Sequence, residues 1–116
     1  MRHRKNKTTL DRKPAARNAL LRALILSLVY QGHIVTTLAK AKAMKPVVER
    51  MITHGKTDTV TNRRYLMQRL QNDSGVKKIV TEIGPKYATR PGGYTRIVKL
   101  PQRVGDGSPQ ALIEFV

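Results

Sequence analysis

At 116 residues the chain is one domain long, enough to bury roughly 65% of its unfolded surface and too short for two independent cores. Lys and Arg number 23 against 7 Asp and Glu, a formal net charge of +16 with a pI near 11.1, which implies a polyanionic partner whose phosphates offset the self-repulsion of the free domain. Periodic hydrophobic residues exclude a disordered basic tail, and the absence of cysteine excludes disulfides, thiolate zinc sites and Cys nucleophiles, as suits a cytoplasmic protein.

Residues 1–13 hold Arg2, Arg4, Lys5, Lys7, Arg12 and Lys13 against Asp11, with Leu10 the single large apolar residue inside the segment. No core can form there, so 1–13 reads as a basic extended arm and 14–116 as a single globular α/β domain. Pro14 suits a first helical position, and Leu20, Leu21, Leu24, Ile25, Leu28 and Val29 repeat at three- and four-residue steps up to a stop at Gly32. Arg17 and Arg22 lie off that stripe and can reach solvent or phosphate. The run Ala23 to Tyr30 is bordered by Arg22, lacks an A-x-A cleavage site and is too short to span a bilayer, so neither secretion nor membrane insertion is expected.

The β-branched stretch Ile34 to Thr37 predicts a strand, with Thr37 capping a helix from Leu38 to about His54 that Gly55 stops. Pro46 interrupts that helical pattern and predicts a kink or two abutting helices. Lys40, Lys42 and Lys45 make its first half basic. A third helix follows a cap at Thr57 or Asp58, carries Arg63 and Arg64 and closes at Asn72; a fourth opens at Asp73 or Ser74 and ends at Gly84-Pro85. Tyr94 to Leu100 and Gln110 to Val116 read as strands of a C-terminal hairpin whose long loop carries Gly105-Asp106-Gly107 at its tip.

The carboxylates are dispersed and His3, His33 and His54 are scattered, so neither acid–base catalysis nor a metal site is motivated, and no cofactor or small-molecule substrate is expected. The segment Arg90-Pro91-Gly92-Gly93-Tyr94-Thr95-Arg96 has a physical use in RNA recognition. Gly92 and Gly93 let backbone approach a sugar-phosphate chain, Tyr94 offers a stacking face, and Arg90 and Arg96 clamp phosphates; the same segment also reads as a simple turn with Tyr94 packed on the core. Two other readings stand beside RNA binding. The third and fourth helices resemble a helix-turn-helix, although only Lys77 and Lys78 stand near the start of the would-be recognition helix, and the Leu20 to Val29 stripe could lie on a membrane.

The start Met1-Arg2-His3-Arg4-Lys5, the stretch Thr36 to Lys42 and the segment Arg90 to Ile97 together resemble the L17 family of bacterial large-subunit ribosomal proteins. Lys56-Thr57-Asp58, Asn62-Arg63-Arg64, Gly84 to Tyr87, Gly105 to Gly107 and Ala111 to Glu114 extend the resemblance from end to end. It implies a two-layer α/β (α+β) fold of order α-β-α-α-α-β-β, with a small mixed sheet, and the periodicity agrees with that order. It also implies a non-enzymatic place on the large subunit near the exit of the peptide tunnel, with ribosomal RNA and neighbouring ribosomal proteins as partners. Carried over by motif, the RNA contacts are Arg2, His3, Arg4, Lys5, Lys40, Lys42, Arg63, Arg64, Tyr94 and Arg96; Lys7, Arg12 and Lys13 are expected to join them on the charge of the arm. The chain departs from the family at Lys7-Thr8-Thr9, where a Gly-Arg-Lys stretch is usual.

Overall fold

A computed structural model describes Leu10 and residues 12–116. Helix α1 spans Pro14–Gln31, with Pro14 in the first turn after an extended Lys13, and ends where Gly32 turns left-handed at φ 83° and donates its N–H to the Leu28 carbonyl. A side chain would strain that backbone, which is why glycine stops the helix. Strand β1 (His33–Thr37) follows, and the Thr37 hydroxyl accepts the Lys40 N–H at 3.4 Å to open α2 (Leu38–Gly55).

Helix α2 runs through Pro46 as one helix, not two abutting ones. The Pro46 ring faces solvent, while Met44 and Val48 on either side are buried, so packing of the inner face carries the chain past one missing hydrogen bond. The helix does end at Gly55, but not through a left-handed turn: its φ is not positive and the Lys56 that follows is right-handed. The role of Gly55 is close approach. A Cβ on Gly55 would sit 2.5 Å from the Ile79 side chain, and one on Gly84 would sit 2.2 Å from the Gly55 carbonyl oxygen.

Thr59, one residue beyond the expected cap, accepts the Asn62 N–H and opens α3 (Val60–Leu70), which ends at a left-handed Gln71 rather than at Asn72. Asn72 instead opens α4 (Asp73–Lys78), taking the Gly75 N–H on its side chain at 2.8 Å. The chain does not stop at Gly84-Pro85 either. It widens into a π-helical stretch, Ile79–Ile83, and finishes in a short turn α5 (Gly84–Lys86). The wide turn carries Ile79, Val80 and Ile83 into the core beside the two glycines.

Strands β2 (Thr95–Leu100) and β3 (Gln110–Phe115) form the expected hairpin, and β3 lies centrally in the order β1-β3-β2. The sheet is antiparallel throughout rather than mixed: β1 and β2 run the same way but each hydrogen-bonds only to β3 between them. One face, with Ile34, Ile113 and Ile97 in register, is covered by helices; on the other, Val35 is 58% and Val98 41% exposed. This is a two-layer α+β fold, and its core centres on the inner face of α2, where Ala41, Met44, Val48, Met51 and Ile52 are buried.

Substituting Gly84→Ala should lower stability by about 1–3 kcal/mol or more, because the new methyl meets backbone that cannot give way. Gly92→Ala, where a Cβ would meet nothing within 4 Å, should stay within about 0.5 kcal/mol. Urea denaturation of the two variants checks the contrast.

Candidate nucleic-acid interface

Only three ion pairs form among the described residues: Arg63 with Asp58, Arg96 with Glu114 and Arg103 with Asp106. No other described cation pairs with a described carboxylate. Of the expected contacts, Arg2, His3, Arg4, Lys5 and Lys7 lie outside the described residues. Arg12 and Lys13 are exposed just ahead of α1, and in the first turns of α2 Lys42 is exposed and Lys40 half-buried.

Arg63 and Arg64 differ in what they offer. Arg63 forks onto Asp58 through Nε at 2.6 Å and Nη2 at 3.0 Å, and that hydrogen-bonded guanidinium holds the Asp58 carboxyl below its usual value. Arg64 is exposed with no carboxylate partner among the described residues, beside a shallow groove that Val60, Met67, Asp73, Val76 and Lys77 also line. The would-be recognition helix of the helix-turn-helix reading is only six residues long before the π-helical stretch begins.

The segment Arg90 to Arg96 is fixed onto α2. The Lys56 ammonium and the Tyr94 hydroxyl both donate to the Arg90 carbonyl, and the Glu49 carboxylate accepts the Thr95 N–H and hydroxyl at 3.4 and 3.2 Å. Gly92 and Gly93 face open space, Gly93 at φ 65°, so backbone there is accessible to close approach. Arg90 is exposed, its Nε turned onto the Gly92 carbonyl at 3.2 Å. Arg96 is exposed and held by Glu114 at 2.6 Å.

Tyr94 corrects one expectation. Its ring is 1% exposed, against Tyr87 at a centroid distance of 5.2 Å, and so it presents no stacking face to a base. Packing won because Tyr94 and Thr95 both bury against α2 at the start of β2. Burial pushes the Tyr94 phenol up, but hydrogen bonds with Lys56 and Thr53 more than offset that and leave it below its usual value. Tyr94 is an anchor that sets where Arg90, Gly92, Gly93 and Arg96 stand.

Periodicity placed Arg22 off the apolar stripe but could not bring it together with Arg50 and Arg69, which it meets around a groove between α1, α2 and α3. That convergence depends on how three helices cross. Histidine is structural where it is described in detail: His54 stacks on Tyr65 at 3.7 Å and bonds Asn62 at 3.0 Å. Among the described residues no three His, Asp or Glu side chains stand together as a metal site, and no helix is long and apolar enough to cross a membrane.

The class so defined is a small, strongly basic α+β protein whose surface presents fixed cations. The family model of Ribosomal protein L17 matches residues 20–116. The Large ribosomal subunit protein bL17 of Neorickettsia sennetsu is 44% identical over all of both chains, and that of Carboxydothermus hydrogenoformans is 49% identical over 92% of this chain and 96% of its own. A third, from Solibacter usitatus, is 49% identical over all of this chain and 77% of its own. The chain belongs to the ribosomal protein L17 family, which is structural rather than enzymatic.

Tyr94→Ala should destabilise the fold by about 3–5 kcal/mol through the cavity it leaves. Tyr94→Phe, which removes only the hydroxyl shared by Thr53 and Arg90, should cost about 1 kcal/mol. Thermal unfolding measures both; a Tyr94→Ala variant as stable as the parent would show that the ring is not an anchor.

Proposed function

We propose that this chain is a structural constituent of the bacterial large ribosomal subunit that binds and stabilises folded large-subunit ribosomal RNA. Membership of the L17 family supports the subunit assignment. The observation that carries RNA binding is a +16 chain with almost no internal compensation: three carboxylates pair with cations among the described residues and a fourth, Glu49, is taken up by Thr95.

The proposed contacts fall in four groups. The arm supplies Arg2, His3, Arg4, Lys5, Lys7, Arg12 and Lys13. The α2 start supplies Lys40 and Lys42. Helix α3 supplies Arg63 and Arg64, and the loop before β2 supplies Arg90, Gly92, Gly93 and Arg96. The helix-borne and loop-borne cations stand on a packed scaffold, so little order is lost when they meet phosphate. Neighbouring ribosomal proteins near the peptide-tunnel exit complete the setting, and the exposed Val35 and Val98 of the uncovered sheet face suit contact with such a neighbour.

The protein should co-sediment with large subunits and leave them only at high salt; recovery solely in the ribosome-free fraction would sink the assignment. In salt titrations against large-subunit ribosomal RNA, the six arm cations alone contribute a slope of about −4 to −5 in log affinity against log salt. Deleting residues 2–7 should make the slope shallower by about 3, and Arg64→Ala by about 1. An unchanged slope after the deletion would remove the arm from the interface.

A further inference from the structure

A groove between α1, α2 and α3 brings three arginines together around an apolar floor. It encloses about 350 Å³, at the lower end of ligand-sized clefts, which run from about 300 to 1,000 Å³. Arg22, Arg50 and Arg69 stand around it and no carboxylate lines it. Two of the three guanidiniums are held in advance. Arg22 donates its Nε to the Arg69 carbonyl at 3.2 Å, using one of its five N–H groups, and the Arg69 guanidinium lies 3.8 Å over the Tyr65 ring. Below them Leu21 and Val47 are half-buried and Ile25 and Met51 buried, while Asn18 and Gln68 bring carboxamides to the groove.

We propose that this groove receives one unpaired nucleotide of the bound RNA, its base against the apolar floor and its flanking phosphates on Arg22, Arg50 and Arg69. The proposal rests on the RNA-binding reading above and adds a site to it. A phosphate alone would leave the floor without a partner, and an acidic side chain would use only donors. A nucleotide uses every part: the floor takes the base, the guanidiniums take phosphate, and the two carboxamides, each both donor and acceptor, match a base edge. The base must be unpaired, since within a duplex its faces are stacked and not free to meet an apolar floor.

The test uses the full-length chain and two short single-stranded RNA backbones, one wholly abasic and one carrying a single adenine at its centre. The adenine should raise affinity about tenfold and shift the side-chain amide resonances of Asn18 and Gln68. The double variant Asn18→Ala, Gln68→Ala, both at exposed positions, should fold as the parent does in a circular-dichroism melt and lose most of that increment, whereas Arg50→Ala should weaken both strands alike. Equal affinity for the two strands overturns the proposal, as does an increment that survives the double variant, or hexaglutamate shifting the same amides as strongly. If the strands bind alike while the chain still binds large-subunit ribosomal RNA, only the groove assignment falls. If it binds no RNA, the reading beneath it falls as well.

Discussion

Helix α2 must satisfy two layers at once, and the rest of the molecule is arranged around that demand. Its inner face, from Ala41 through Met44, Val48, Met51 and Ile52, is shared between the sheet and the other helices. At its C-terminal end Gly55 lets the π-helical stretch and Gly84 approach to backbone distance. Along its flank Glu49, Thr53 and Lys56 hold Thr95, Tyr94 and Arg90. The element that organises the core therefore also positions the loop proposed to meet RNA. Loss of packing at α2 would disturb the interface without touching any of its cations.

Charge sets the second constraint. A domain this basic repels itself in the absence of a partner, and surface ion pairs such as Arg63 with Asp58 contribute little stability at high dielectric. Hydrophobic burial therefore has to hold the fold against its own charge, which is consistent with an apolar core that leaves no buried side-chain polar atom unpartnered among the described residues. Phosphates that neutralise the surface would relieve the repulsion, so the proposed RNA binding would raise stability by linkage.

Local chemistry was legible in the sequence where one residue decides the outcome. Gly32 stops α1 through its own backbone and Thr37 caps α2 through its own hydroxyl, so neither depends on a residue distant in sequence. Gly55 and Gly84-Pro85 look like the same punctuation, yet they serve a tertiary contact between α2 and a π-helical stretch that no 3.6-residue period reveals. Pro46 is overridden by the packed residues around it. For the interface, a charge count finds the cations but not which ones meet, since Arg22, Arg50 and Arg69 are far apart in sequence. Tyr94 shows the converse error: an aromatic beside paired glycines has the composition of a stacking platform, and only its burial shows it to be an anchor.

The few carboxylates are best understood through what they hold. Asp58 takes both ends of the Arg63 fork, Glu114 takes Arg96 across the strand pair, and Asp106 gathers Arg103 and the Ser108 N–H at the tip of the long hairpin loop. Each partner arginine remains largely exposed, and a guanidinium engaged through Nε retains N–H groups for phosphate. An exposed pair of this kind adds little to stability but restricts where a long, flexible side chain can point. Under the proposed function, acids that fix the direction of arginines give up a little long-range attraction and gain pre-organisation at the contact, where less rotamer entropy would be lost on binding.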